Sequence, residues 1–248
     1  MRGTAVRPLR GLLALSAVAL LVAGCAGGEV AGSGTPVSPS PSDNGIAGQT
    51  ADEILAKAKA ALKGAGAVRI KGSTGRGADR SEIDMRYAGA SAQGTISVAA
   101  EPIEMRRIGQ TVYVKGSREF WTGRVPAAAV ELLTGKWLKS PVTGSRLGQL
   151  APLTDLSEAA DGILEPDGKV TKGERKTIAG APAIALVSGG SDSGKLYVAT
   201  TGRPYPLQII PTDPKESGRI TFSDFGKRVT VSPPPAELVI DVSKLGGG

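Results

Sequence analysis

The hydrophobic pattern along the chain changes character four times. Residues 11–23 read GLLALSAVALLVA, apolar except for Ser16, and follow Arg2, Arg7 and Arg10 with no acidic residue among them. A run of about 13 apolar residues is short for a bilayer, which needs about 20. A basic flank, a short apolar run and small residues before Cys25 predict a secretory signal over residues 1–24. The next periodic stretch opens at Thr50-Ala51-Asp52-Glu53, the form of a capping box. Ile54, Leu55, Ala58, Ala61 and Leu62 recur at helical spacing until Gly64 and Gly66, so a helix is predicted over 51–63. From residue 67 the period becomes two. Val68 and Ile70, then Ile83, Met85 and Tyr87, then Ile96 and Val98, then Val112 and Val114 alternate with polar neighbours. Glycine-containing turns at 75–79, 89–90 and 109–110 separate them, which predicts an antiparallel meander with one buried face.

Residues 126–165 break that period and hold eight of the fifteen leucines that follow residue 24. Short helices over about 126–134, 145–151 and 154–163 fit, interrupted by Gly135, Pro141 and Pro152. Strands return over about 169–178, 182–188, 194–200, 205–210, 217–224 and 228–231, with a last one at 237–242 after Pro233-Pro234-Pro235. The fold class is α+β, with about eleven strands in a single domain over 50–248. An antiparallel sheet of this size curls or closes through its twist. The leucine-rich insert then covers the concave face of the curved sheet. Residues 25–49 are expected to be a flexible linker, since Gly, Ser and Pro make up thirteen of the 24 residues from 26 to 49. Its reach is roughly 25–30 Å.

Composition removes whole classes of chemistry. The 248 residues contain no histidine and one cysteine. A Ser-His-Asp triad, a histidine base, an intramolecular disulfide and a cysteine-rich zinc site are excluded. Without residues 1–24 the 30 Lys and Arg become 27 against 23 Asp and Glu, a net charge of +4. That is a mild attraction to anionic lipid rather than a nucleic-acid footprint, and no nucleic-acid partner is expected. Gly189-Gly190-Ser191-Asp192-Ser193-Gly194-Lys195 fits seven positions of a P-loop. Its eighth is Leu196, and a strand rather than a helix follows. No nucleophile elbow, metal motif or cofactor motif is present, so no enzyme, cofactor or metal is expected.

What remains is an apolar surface. Ile83, Met85, Met105, Val112 and Val114 on the strands are candidate lipid contacts. Leu132, Leu133, Leu147, Leu150 and Leu156 in the insert are the candidates from the covering layer. Ala183 is a candidate for filling the same cavity. Broken helices over a curved sheet leave room between the layers.

Leu21-Val22-Ala23-Gly24-Cys25 resembles a bacterial lipobox, in which cleavage precedes a cysteine that then carries acyl chains. The lipobox, the Thr50–Leu55 helix start, Val112–Lys115, Phe120-Trp121, Leu153–Leu156, Leu196–Gly202 and Thr221–Gly226 resemble actinobacterial lipoproteins of the LolA-like superfamily, related to LppX and LprA/F/G. The resemblance implies a half-open antiparallel barrel with helices lining its concave side. It also implies an extracytoplasmic protein anchored to the membrane through lipidated Cys25. Such a protein would bind a lipid or glycolipid for transport or presentation. The superfamily also contains envelope sensors, which makes an envelope protein partner the alternative.

Overall fold

The computed structural model describes residues 42–77, 80–98, 101–143, 147–166, 168–190, 193–213 and 216–244. The signal over 1–24, Cys25 and the linker up to residue 41 lie outside them.

Helix α1 spans Ala51–Lys63, as the capping box predicts. Thr50 Oγ1 accepts from Glu53 N, and Glu53 Oε2 accepts from Thr50 N at 2.9 Å. A five-strand meander follows: β1 (Ala67–Thr74), β2 (Ser81–Ala88), β3 (Ser91–Val98), β4 (Glu101–Ile108) and β5 (Thr111–Gly116). Helices α2 (Arg118–Trp121) and α3 (Ala127–Leu133), strand β6 (Trp137–Pro141), a 3₁₀ segment (Leu147–Thr154) and α4 (Leu156–Ile163) make up the insert. Then come β7 (Val170–Ile178), β8 (Ala181–Ser188), β9 (Gly194–Ala199), β10 (Pro206–Pro211), β11 (Gly218–Ser223) and the short β12 (Val239–Asp241).

Among the described residues twelve strands form one sheet in the order β12-β6-β5-β4-β3-β2-β1-β11-β10-β9-β8-β7. Neighbours are antiparallel except β12 and β6. The sheet curves but does not close, with β12 and β7 at its edges, so the half-barrel expectation holds. Several details differ from the sequence reading, β4 and α2 among them, which no run or helix named there covers. Trp137–Pro141 is a strand, hidden in the leucine-rich insert. Residues 228–231 form no strand. The linker ends sooner than residue 49, because Asp43 bridges Thr201 and Ile46 is 2% exposed. Asn44 Nδ2 donates to the carbonyls of Ala199 and Gly202, and Lys172 Nζ donates to those of Gln49 and Ala47. Asp43 and Asn44, together with Lys172 from β7, thus dock a stretch that composition alone reads as loose.

Curvature depends on close approach between strands. A Cβ on Gly72 would overlap the Arg219 carbonyl oxygen and lie 2.6 Å from Ile220 Cα. One on Gly94 would overlap the Asp84 carbonyl and lie 2.7 Å from Met85 Cα. Glycine is the residue that allows such a bend.

Between β11 and β12 the chain crosses the convex face as a strap. Gly226 N donates to Ala67 O at 2.9 Å, Arg106 Nη1 to Ser232 O at 3.0 Å and Lys136 Nζ to Glu237 O at 3.2 Å. The same face holds a small cluster of Ile178, Ala183, Ala185 and Tyr197. Ala183 therefore faces away from the concave side, which corrects the expectation that it fills the cavity. β8 is apolar on both faces, and alternation could not say which face Ala183 takes.

Several ion pairs on this side set the acid response. Glu174 is held down to about 2 by its own backbone N–H, by Lys195 and by the Tyr197 hydroxyl. Asp241 is held at about 2 by the Ser243 hydroxyl and by Lys139. Asp84 lies below its ordinary value because Arg69 grips it with two bonds of 2.8 and 2.6 Å. Carboxyls depressed in the folded state stabilise it above their unfolded values near 4, and that contribution is lost as pH falls through the folded values. The melting temperature should stay level from pH 7 to about 5 and fall between about pH 4 and 2. A profile still level at pH 2 would show that these pairs do not count.

Candidate functional site

The concave face is built in rows, because directly paired residues on neighbouring antiparallel strands point the same way. One row runs through Ile70, Met85, Gly94, Met105, Val114 and Leu138. The helical layer covers it. α1 presents Ile54, Ala58 and Leu62, and α4 presents Leu156 and Ala160, all in the main core. Ion pairs Lys63–Asp161 (2.7 Å) and Lys59–Glu165 (2.8 Å) fasten α1 to α4 and to the segment just after it.

Two polar ties hold this layer to the sheet. The Tyr87 hydroxyl donates to Leu153 O at 2.9 Å. Burial, together with the charge of Asp155, pushes its pKa above the ordinary tyrosine value, so it remains a donor. Asp155 caps α4, accepting from Ser157 N and Glu158 N, and its other oxygen accepts from Arg107 Nη1 at 2.9 Å. Asp155→Ala should cost about 1–2 kcal/mol, since it removes a cap and leaves the largely buried Arg107 guanidinium with only its bond to the Gly109 carbonyl. A thermal shift of about 3–6 °C checks this. No shift would mean that the cap is not what holds α4.

The layer stops short of one rim of the sheet. There, between the ends of β1 and β8–β11 and the helices, lies a pocket of about 270 Å³. Leu186, Leu196, Ile209 and Ile220 line it from the strands, and Leu55 and Ile163 from α1 and α4. A neighbouring hollow of about 110 Å³ shares Thr74 and Ile220 with it and adds Ile83 and Ile96. Ile83, Ile96, Ile209 and Ile220 are half-buried, so water reaches an apolar wall here.

The sequence candidates divide around this pocket. Ile83 lines the hollow. Met85, Met105, Val112 and Val114 share its face but are at most 1% exposed and belong to the packed core. Leu156 is core beneath α4, and Leu147 and Leu150 pack against it from the 3₁₀ segment. Leu133 joins a side cluster with Trp121, Val130 and Leu138. Leu132 points outward, 63% exposed. The pocket residues Leu186, Leu196, Ile209 and Ile220 lie on strands that the alternation identifies. Their nearness to Ile83 follows from the pairing of β11 with β1, which alternation does not reveal.

Chemically the pocket is mostly hydrocarbon, with Thr74, Glu165 and Ser188 as the polar side chains of its lining. Among the described residues no group of three or more Asp, Glu, Cys or His is placed to hold a metal. The P-loop-like stretch runs into β9, and Lys195 pairs with Glu174 at 3.0 Å; Ser191 and Asp192 lie outside the described residues.

No family model matches the chain, and no curated protein matches it. Among solved structures, it is similar to mycobacterial lipoproteins. LprF from Mycobacterium bovis is 14% identical, over 74% of this chain and 96% of that one, with a TM-score of 0.48. The lipoprotein LppX from Mycobacterium tuberculosis is 15% identical, over 73% and 99%, with a TM-score of 0.45. A LolA superfamily protein from Nitrosomonas europaea is 12% identical, over 79% and 99%, with a TM-score of 0.27.

Proposed function

We propose that the protein is a membrane-anchored extracytoplasmic carrier that binds the hydrocarbon part of a lipid at the uncovered rim of its concave face. The observation that carries this is the half-buried aliphatic wall around Ile209 and Ile220. An apolar pocket open at one side favours a ligand whose tail is buried and whose head stays wet. Burying each methylene contributes about 0.8 kcal/mol, so a long tail suffices without polar contacts. Native mass spectrometry on protein taken gently from bacterial membranes tests the reading. The expected spectrum shows the protein carrying an extractable lipid. A spectrum of bare protein alone contradicts it.

The anchor is Cys25, carrying acyl chains after cleavage before it. Multiple chains on one residue hold for long times, whereas one alone is marginal. Cys25→Ala should move the protein from the membrane fraction to the soluble fraction. Retention in the membrane fraction would contradict the anchor. The tether enters the domain at Asp43, beside Thr201 in the β9–β10 connection. The pocket lies at the other end of the same strands, beside Gly194 and Ile209.

A further inference from the structure

We infer that this site takes a single linear acyl chain, lying across the strands in a trough one side chain wide. The inference rests on the lipid reading above and adds the number of chains and their direction.

Strand register makes the trough continuous. Leu196 pairs with Ile209, and Ile209 with Ile220. Ile220 pairs with Gly72, Gly72 with Ile83, and Ile83 with Ile96. The pocket and its neighbouring hollow are therefore two stretches of one row crossing β9, β10, β11, β1, β2 and β3. Beyond Ile96 the row meets Ile103 and then Gly116. There the Phe120 and Trp121 rings occupy the space that a side chain on Gly116 would take, and the far end is closed. At the near end Leu186 pairs with Leu196 and is itself 2% exposed.

Width follows from the rows on either side. Side chains on one face of a strand repeat every two residues, about 6.8 Å. Two residues inward, Ile70 and Met85 are covered by the helices and fully buried. Two residues outward the paired positions are Thr74 with Ser81 and with Gly218, and Pro211 with Gly194. The middle row offers an aliphatic floor interrupted only at Gly72, and a second chain alongside would lie on hydroxyls, Pro211 and bare backbone. Length follows from the sheet spacing. From Leu196 to Ile96 there are five steps between strands, about 24 Å at about 4.8 Å each. With carbon–carbon bonds of about 1.5 Å, an extended hydrocarbon advances about 1.3 Å per carbon, which corresponds to about eighteen carbons.

The test is displacement of cis-parinaric acid from the protein by lipids of known chain number. Saturated fatty acids should bind one per protein. Affinity should rise about fourfold per methylene and level off near eighteen carbons. Lysophosphatidylglycerol with one palmitoyl chain should bind at least tenfold more tightly than dipalmitoyl phosphatidylglycerol. Ile96→Trp, placed at the far end, should shorten the levelling length by about four carbons, one strand spacing of about 4.8 Å. Equal or tighter binding of the two-chain lipid overturns the single-chain inference and leaves the lipid reading standing. A levelling length unmoved by Ile96→Trp overturns the direction of the chain. Binding of none of these lipids, nor of parinaric acid, removes both readings together.

Discussion

Replacing Gly72 with valine is expected to lower the melting temperature by about 10 °C or more. A Cβ at this position meets backbone: the Arg219 carbonyl and, at 2.6 Å, the Ile220 Cα. Backbone atoms held in a ladder cannot turn aside as a flexible side chain can. β1 and β11 must move apart, and their pairing from Arg69–Ser223 to Thr74–Gly218 is the seam joining the two halves of the sheet. Overpacking costs about 1–3 kcal/mol where side chains can yield, and more where they cannot. At about 2–4 °C per kcal/mol for a domain of this size, a cost of about 3–5 kcal/mol gives the stated shift. Thermal unfolding followed by circular dichroism measures it. A variant that melted within 2–3 °C of the parent would show that the seam relaxes freely and that the bend at Gly72 is not fixed by sterics.

Replacing Ile220 with glutamate is expected to weaken fatty-acid binding by at least a hundredfold while leaving the fold in place. Ile220 is shared by the pocket and its neighbouring hollow, so a ligand chain in either must pass it. A carboxylate there would have to give up water to admit hydrocarbon, at a cost of several kcal/mol. In the empty protein the same carboxylate reaches water, because Ile220 is only partly buried. Ile220→Ala should lose about tenfold to sixtyfold, three carbons at up to about 0.8 kcal/mol each. Displacement titration with palmitate and a melting curve for each variant separate these outcomes. Unchanged palmitate affinity in Ile220→Glu would place the ligand elsewhere.

The fold was legible where local signals agreed. The capping box at Thr50 and the helical spacing through Leu62 marked α1 to the residue, and period-two alternation found most strands of both halves. β6 was not legible. Trp137 is covered on the convex face beneath Arg106, 4.7 Å from its ring centre, while Leu138 and Ser140 are buried on the other face. Burial on both sides removes the alternation that marks a strand. β12 is three residues long and parallel to β6, a pairing that no local pattern announces. The site was legible by face but not by depth. Ile83 and Met85 lie two residues apart on one strand and point the same way, yet Met85 is packed beneath the helices while Ile83 borders the hollow. The difference is set by how far α1 and α4 extend along the strands, which is a tertiary fact. Leu132 shows the converse. Its place in a leucine-rich helix suggested a lining residue, but only Val130 and Leu133 of α3 turn inward, and Leu132 faces water.

The most direct measurement is paramagnetic broadening of isoleucine and leucine methyl signals by stearate bearing a nitroxide near its methyl end. The account predicts that the methyls of Ile83, Ile96, Ile209 and Ile220 broaden first and saturate at one equivalent, while those of Ile178 and Ile240 stay sharp. Broadening strongest at Leu132 and Leu153, the exposed leucines, or spread evenly over the surface, would contradict a lipid-binding trough at the rim of the concave face.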